Sequence, residues 1–158
     1  KPSYKLDQMG IKLNDVVVDY GCGPGRYLTQ ACKLVGSNGK VYAVDIQDSA
    51  LRCATKLRWR KKLDNLQPLK ASGYFAPIQE DKADVIYLLN VLLKVDKPNE
   101  LLNEVHRIVK PNGQLILNGR GKSSGMTKTL VDKNKRWSLV KQEEDLLFLK
   151  PLFKQTST

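Results

Sequence analysis

The sequence predicts an α/β fold, a doubly wound sheet of seven strands, mostly parallel, that closes on a C-terminal antiparallel hairpin. Three observations predict it. Short aliphatic runs alternate with segments whose apolar residues recur at i, i+3, i+4 and i+7, the strand–helix alternation of a parallel sheet. A glycine-rich turn, Gly21-Cys22-Gly23-Pro24-Gly25, follows the first run, and an acid, Asp45, closes the second. The 158 residues suit one domain, 1–158, with a core that needs no staples.

Val16-Val17-Val18 is a β-branched run of the kind buried on both sheet faces, and it ends in Asp19-Tyr20 before the glycine turn. Leu28, Ala31, Cys32 and Val35 then share one helix face until Gly36 stops the helix. Val41–Val44 is the second strand, and Asp48 or Ser49 caps a helix with Ala50, Cys53, Ala54 and Leu57 on one side. Leu66–Ala71 is a weaker third strand broken by Pro68, and Asp84–Asn90 a strong fourth. Pro98 and Glu100 open a helix striped by Leu101, Leu102, Val105, Ile108 and Val109, which Lys110-Pro111-Asn112-Gly113 stops. Leu115-Ile116-Leu117 is the fifth strand. The polar stretch 119–135 holds a short helix around Thr127–Val131, and Trp137–Val140 and Leu146–Leu149 form the hairpin about Glu143-Glu144-Asp145.

Composition narrows the function classes. With 41% hydrophobic and 27% charged residues the chain is neither disordered nor membrane-spanning, since no apolar run approaches about 18 residues. Three cysteines, Cys22, Cys32 and Cys53, without C-x-x-C spacing support neither a disulfide framework nor a zinc site, which points to a reduced, cytoplasmic protein. Lys1 in place of Met, with no basic-then-apolar leader, reads as a fragment and not a secreted precursor.

In a doubly wound sheet ligands bind beyond the carboxyl ends of the strands, where Gly21, Gly23 and Gly25 fall. Asp45 stands 20 residues after Gly25, where a carboxylate accepts both hydroxyls of an adenosine ribose. Turn and acid together indicate a nucleoside cofactor. A dinucleotide fingerprint requires a third glycine at position 26, which is Arg26, so the spacing is G-x-G-x-G.

At these residues the chain resembles the class I S-adenosylmethionine-dependent methyltransferases, whose fold is Rossmann-like, and within them the ubiquinone/menaquinone-biosynthesis-like (methyltransferase type 11) branch. Val16–Leu28 is similar to the first family motif, Gly39–Ile46 to the second-strand motif, Ala83–Val91 to the fourth-strand motif, and His106–Leu117 to the block before strand five. The resemblance implies S-adenosylmethionine as cofactor. Asp19, Tyr20 and the glycines 21, 23 and 25 would hold its methionine part, Asp45 the ribose hydroxyls, Ile46 one adenine face, and Asn90 the floor. Three departures stand out. Ser72, followed by Gly73, occupies the place of an acid that contacts the adenine amino group, and an uncharged hydroxyl accepts that bond more weakly. Leu92-Leu93 replace the histidines often found after strand four. Only about a dozen residues precede the first strand, so either a lid is missing from this piece or the site is open.

Methyl transfer from a sulfonium needs alignment and exclusion of water more than a base. No residue is singled out as catalytic: His106 reads as packing, and Tyr27, Tyr74 and Tyr87 as core or rim. No N-P-P-Y or D-P-P-Y follows strand four, which disfavours exocyclic-amine methylation, and no cysteine is placed for a thiolate route. The acceptor is unassigned. Two alternatives stand beside the enzyme: a cofactor-binding partner or sensor module without turnover, and an NAD-dependent oxidoreductase.

Net charge is +11, which raises an acidic substrate or nucleic acid as partner. Six basic residues lie between Arg52 and Lys62 with no acid among them, and six between Arg120 and Arg136 with Asp132 as the sole acid. The second cluster follows strand five, beside the expected substrate mouth, and is expected to serve function. The first is expected to stand far from the methyl group, with Trp59 half-buried in edge packing.

Overall fold

The computed structural model describes residues 2–156. It divides into two compact units, Lys1–Pro77 and Ile78–Thr158. The fold class is the expected one: α/β, Rossmann-like, with seven strands, mostly parallel, and an antiparallel hairpin at the end.

The first unit holds α1 (Pro2–Asp7), β1 (Val16–Tyr20), α2 (Leu28–Val35), β2 (Lys40–Asp45), α3 (Asp48–Lys61) and β3 (Leu66–Lys70). Its strands run in the order β3-β2-β1, all parallel, with Tyr20 opposite Val44 and Asp45 opposite Lys70. Parallel strands are covered on both faces, which is why Val17, Val18, Val41, Ala43 and Val44 are all fully buried. The buried residues of α2 are Leu28, Ala31, Cys32 and Val35, the stripe read from the sequence. Asn65 finishes that helix by donating from Nδ2 to the carbonyls of Cys32 (2.9 Å) and Gly36 (2.8 Å), groups a helix end otherwise leaves unpaired.

Expectations fail at two elements of this unit, α3 and β3. The helix α3 is not capped by Asp48 or Ser49: Gln47 is its N-cap without a side-chain bond, and Asp48 instead receives Lys70 Nζ at 2.9 Å. Its buried residues are Ala50 and Ala54, while Cys53 faces solvent. Leu51 and Leu57 are half-buried beside the two alanines, and Arg58 ties the helix to β3, its Nε donating to the Leu66 carbonyl at 2.9 Å. Pro68 does not break β3. Val41 N donates to Asn65 O and Ala71 N to Asp45 O, so with a period of two the missing Pro68 N–H falls on the side away from β2, where no ladder bond is needed.

The second unit holds β4 (Ala83–Leu88), a 3-10 turn (Leu92–Lys94), α4 (Pro98–Ile108), β5 (Val109–Asn118), α5 (Lys122–Asn134), β6 (Trp137–Glu143) and β7 (Leu146–Pro151). Its strand order is β4-β5-β7-β6, parallel for the first pair and antiparallel for the others. Leu101, Leu102, Val105 and Ile108 of α4 are fully buried, as are Ile86, Tyr87, Leu115 and Ile116 of β4 and β5.

Lys110–Gly113 is a bulge inside β5 and not a stop between helix and strand. Val109 already pairs with Ala83, and pairing resumes with Gln114 opposite Val85. A Cβ on Gly113 would meet Val109 Cγ2 at 2.8 Å and the Ala83 and Asp84 carbonyls at 2.9 Å, so only glycine allows the bulge to lie this close. The α5 helix is also longer than its Thr127–Val131 expectation, running over the whole of Lys122–Asn134 although few of its residues are apolar. Thr127, Val131 and Asn134 supply its buried face, and Asn134 Nδ2 donates to Asn99 and Asn103 Oδ1 at 2.6 and 2.9 Å. No helix among the described residues is long and apolar enough to cross a membrane.

Candidate cofactor site

Three loops at the carboxyl ends of β1, β2 and β3 carry the sequence-derived residues of the first unit. The loop after β1 is hung on β2: Gly21 N and Cys22 N both donate to Val44 O, at 2.7 and 3.0 Å. Gly21, Gly23 and Gly25 adopt φ of 82°, 53° and 84°, the left-handed region that side chains resist. A Cβ on Gly23 would meet nothing within 4 Å, so the space above this turn is open to a ligand. Asp19, at the foot of the loop, is 4% exposed.

Asp45 is the hinge of the arrangement. Its Oδ2 accepts Gly23 N–H at 3.0 Å and its Oδ1 accepts Gln47 N–H at 2.9 Å. Each oxygen keeps a further lone pair, so the carboxylate is held in one orientation with capacity for two more donors. The Asp45 carbonyl also receives Ala71 N–H at 3.0 Å, tying in the loop after β3. In that loop Ser72 and Phe75 exchange backbone bonds of 2.8 and 3.0 Å around Gly73, whose φ is 59°. Tyr20, 6% exposed, donates its hydroxyl to the Tyr74 carbonyl and so fixes the same loop from below. Ile46 and Phe75 are 57% and 54% exposed, two apolar surfaces among otherwise polar loops.

Asp19, Tyr20 and Asp45 stand at the ends of β1 and β2, and Gly21, Gly23, Gly25, Ile46, Ser72 and Gly73 on the loops that follow β1, β2 and β3. Sequence reasoning missed Phe75 and Gln47. An aromatic in a short turn was the available signal for Phe75, whereas Gln47 acts through its backbone and leaves none. Cys22 sits in the glycine loop, where burial, with Asp19 and Asp45 adding negative potential, pushes its thiol well above the ordinary range. Burial likewise pushes Cys32 up to about 12. Both thiols are protonated near neutral pH and are poor nucleophiles.

Asn90 belongs to the second unit. It is left-handed, with φ of 60°, a conformation asparagine tolerates better than most residues. Its N–H donates to Asn118 Oδ1 and Asn118 Nδ2 donates back to Asn90 Oδ1, both at 2.8 Å, joining the carboxyl ends of β4 and β5.

Residues 11–150 match the family model described as "Methyltransferase domain". The chain belongs to the methyltransferase domain family. Its fold is that of solved S-adenosylmethionine-dependent methyltransferases. The methyltransferase domain is 30% identical over 115 residues to the "Ubiquinone/menaquinone biosynthesis C-methyltransferase UbiE" of Proteus mirabilis, covering 72% of this chain and 46% of that protein. The same-named Shewanella oneidensis protein is also 30% identical over 115 residues, with the same coverage. The chain therefore spans about half the length of the curated relatives it matches. Among solved structures, a SAM dependent methyltransferase from Aquifex aeolicus has a TM-score of 0.87 at 24% identity, covering 96% of this chain and 90% of that one. A putative S-adenosyl-L-methionine-dependent methyltransferase from Methanococcus maripaludis has 0.80 at 15%, covering 99% and 85%. The methyltransferase domain shares the fold of both.

Proposed function

We propose that this chain, as a single domain over 1–158, binds S-adenosylmethionine on the three loops of its first unit and transfers the methyl group to an acceptor. When bound, that cofactor supplies a methyl already made electrophilic by the sulfonium. The observation that carries the reading is the Asp45 carboxylate, fixed by Gly23 and Gln47 N–H groups beside a turn with open space above it. In this reading Asp45 takes the two ribose hydroxyls. Ile46 and Phe75 offer apolar contact to the base, and Ser72 and Gly73 line its amino edge. Asp19, Tyr20, Gly21, Gly23 and Gly25 shape the place of the methionine part. The chain's residues bind, orient and exclude water, and the acceptor supplies the nucleophile. Cys22 and Cys32, free and protonated, take no covalent part. Three unbridged cysteines support a reducing, cytoplasmic setting.

Calorimetric titration tests the cofactor class without knowledge of the acceptor. S-adenosylhomocysteine is expected to bind and NAD not to bind, because Arg26 occupies the place of the third dinucleotide glycine. Comparable NAD affinity would overturn the reading. Tight binding of S-adenosylhomocysteine with no transfer to any acceptor would instead favour a sensor module.

A further inference from the structure

Trp59 is 77% exposed, contrary to the half-buried edge packing its sequence suggests. Ala50 and Ala54 are the buried residues of α3, with Leu51 and Leu57 half-buried beside them, and the indole lies outside this face. Thr55, Lys56, Trp59 and Arg60 line a shallow depression on the outer side, and Arg52 continues the same stripe one turn earlier. No acid occurs from Ser49 to Leu63. Asp48, which precedes this run, interacts with Arg52 but is already held by Lys70. The face therefore combines a bare indole with three cations spaced along one helix side.

We propose that this stripe of α3 docks single-stranded nucleic acid, one base stacking on Trp59 and the flanking phosphates pairing with Arg52, Lys56 and Arg60. A flat aromatic ringed by cations suits a partner that alternates π-faces with negative charge. An unpaired strand fits better than a duplex, because an indole standing out from a convex helix reaches a base only where the base is unstacked from its complement. A lipid surface fits less well, since an interfacial helix needs a broad apolar face and this stripe has a single apolar residue. The cluster at 120–136, expected from sequence to meet the partner, lacks the stacking element: the neighbouring tryptophan, Trp137, is 5% exposed and packs edge-on to His106 at 5.4 Å. The inference is independent of the cofactor reading.

The test is titration of the whole chain with a short oligouridylate, followed by anisotropy and tryptophan fluorescence. Quenching of the exposed indole is expected, and Trp59→Ala is expected to lower affinity about tenfold, with Trp59→Phe between the two. Replacing Arg52, Lys56 and Arg60 together by Gln is expected to reduce the slope of log affinity against log salt by about 2. The matching Lys122, Lys128 and Lys133 to Gln variant is expected to leave affinity close to that of the unaltered chain. Unchanged melting temperature and S-adenosylhomocysteine affinity in the α3 variants show that fold and cofactor site are intact. The proposal is overturned if the oligouridylate does not bind at low salt, if Trp59→Ala binds as the unaltered chain does, or if the α5 variant loses more affinity than the α3 variant. Stronger binding to phosphatidylserine vesicles than to the oligonucleotide would overturn it too.

Discussion

At the scale of single residues, Asp45 carries the largest share of the candidate site, because it accepts from two backbone N–H groups and retains two free lone pairs. A hydrogen bond to a charged group contributes about 1.5–3 kcal/mol, so Asp45→Ala is expected to weaken S-adenosylhomocysteine binding by roughly 10–150-fold. The measurement is calorimetry with a melting curve beside it, and unaltered affinity would show that the ribose is held elsewhere. Asp45 and the glycines were legible in the sequence because their roles are local: a strand end, a tight turn and a fixed spacing. Tyr20 bonded to Tyr74, or Asn90 bonded to Asn118, joins residues far apart in the chain, and no periodicity records such a pair. Trp59 escaped for a related reason, since its exposure depends on how little of α3 the sheet can cover.

At the scale of elements, α4 shows how an amphipathic pattern fixes position and how a titrating group can ride on its flank. His106 lies 8% exposed on this helix, its Nε2 2.7 Å from the Leu152 carbonyl and its ring against Trp137. Burial lowers its affinity for a proton, and Lys154 and Arg136 add to this, while the Leu152 bond and Asp81 act the other way. The folded-state pKa is therefore below the unfolded value near 6.5. Between the two values the unfolded chain binds more protons, so the stabilisation is complete above the unfolded pKa and is lost as pH falls from there through the folded value. Urea midpoints across this window are expected to fall toward acid, and His106→Gln, which keeps a donor for Leu152, is expected to flatten that dependence. Equal slopes for the two proteins would exclude the histidine as the cause. The stripe of α4 was readable from sequence. The course of β5 was not, because Lys110-Pro111-Asn112-Gly113 has turn composition and becomes a bulge only through the close approach of Gly113 to the Ala83 and Asp84 carbonyls.

At the scale of the whole molecule, a ligand that binds only the folded chain must raise its thermal stability. At about a hundred times Kd the gain is about 2.7 kcal/mol, which for a domain of this length is about 5–10 °C. S-adenosylhomocysteine is expected to produce that shift in a melting scan, and NAD at the same concentration to produce none. The alternation of strands and helices made the fold class legible from composition and periodicity alone, while the two units became visible only through contacts. The outermost strands of these units have a further consequence. β3 pairs with β2 alone and turns the donor-less side of Pro68 outward, and β6 pairs with β7 alone, slips register between Leu139 and Lys141, and exposes Lys141, Gln142 and Glu143. A strand arriving from another molecule would find a missing donor at one border and a kinked, charged ribbon at the other. Each border thus carries an obstacle to edge-to-edge pairing, and at β6 it stands beside the exposed Leu139 and Val140, the apolar residues such pairing would otherwise recruit.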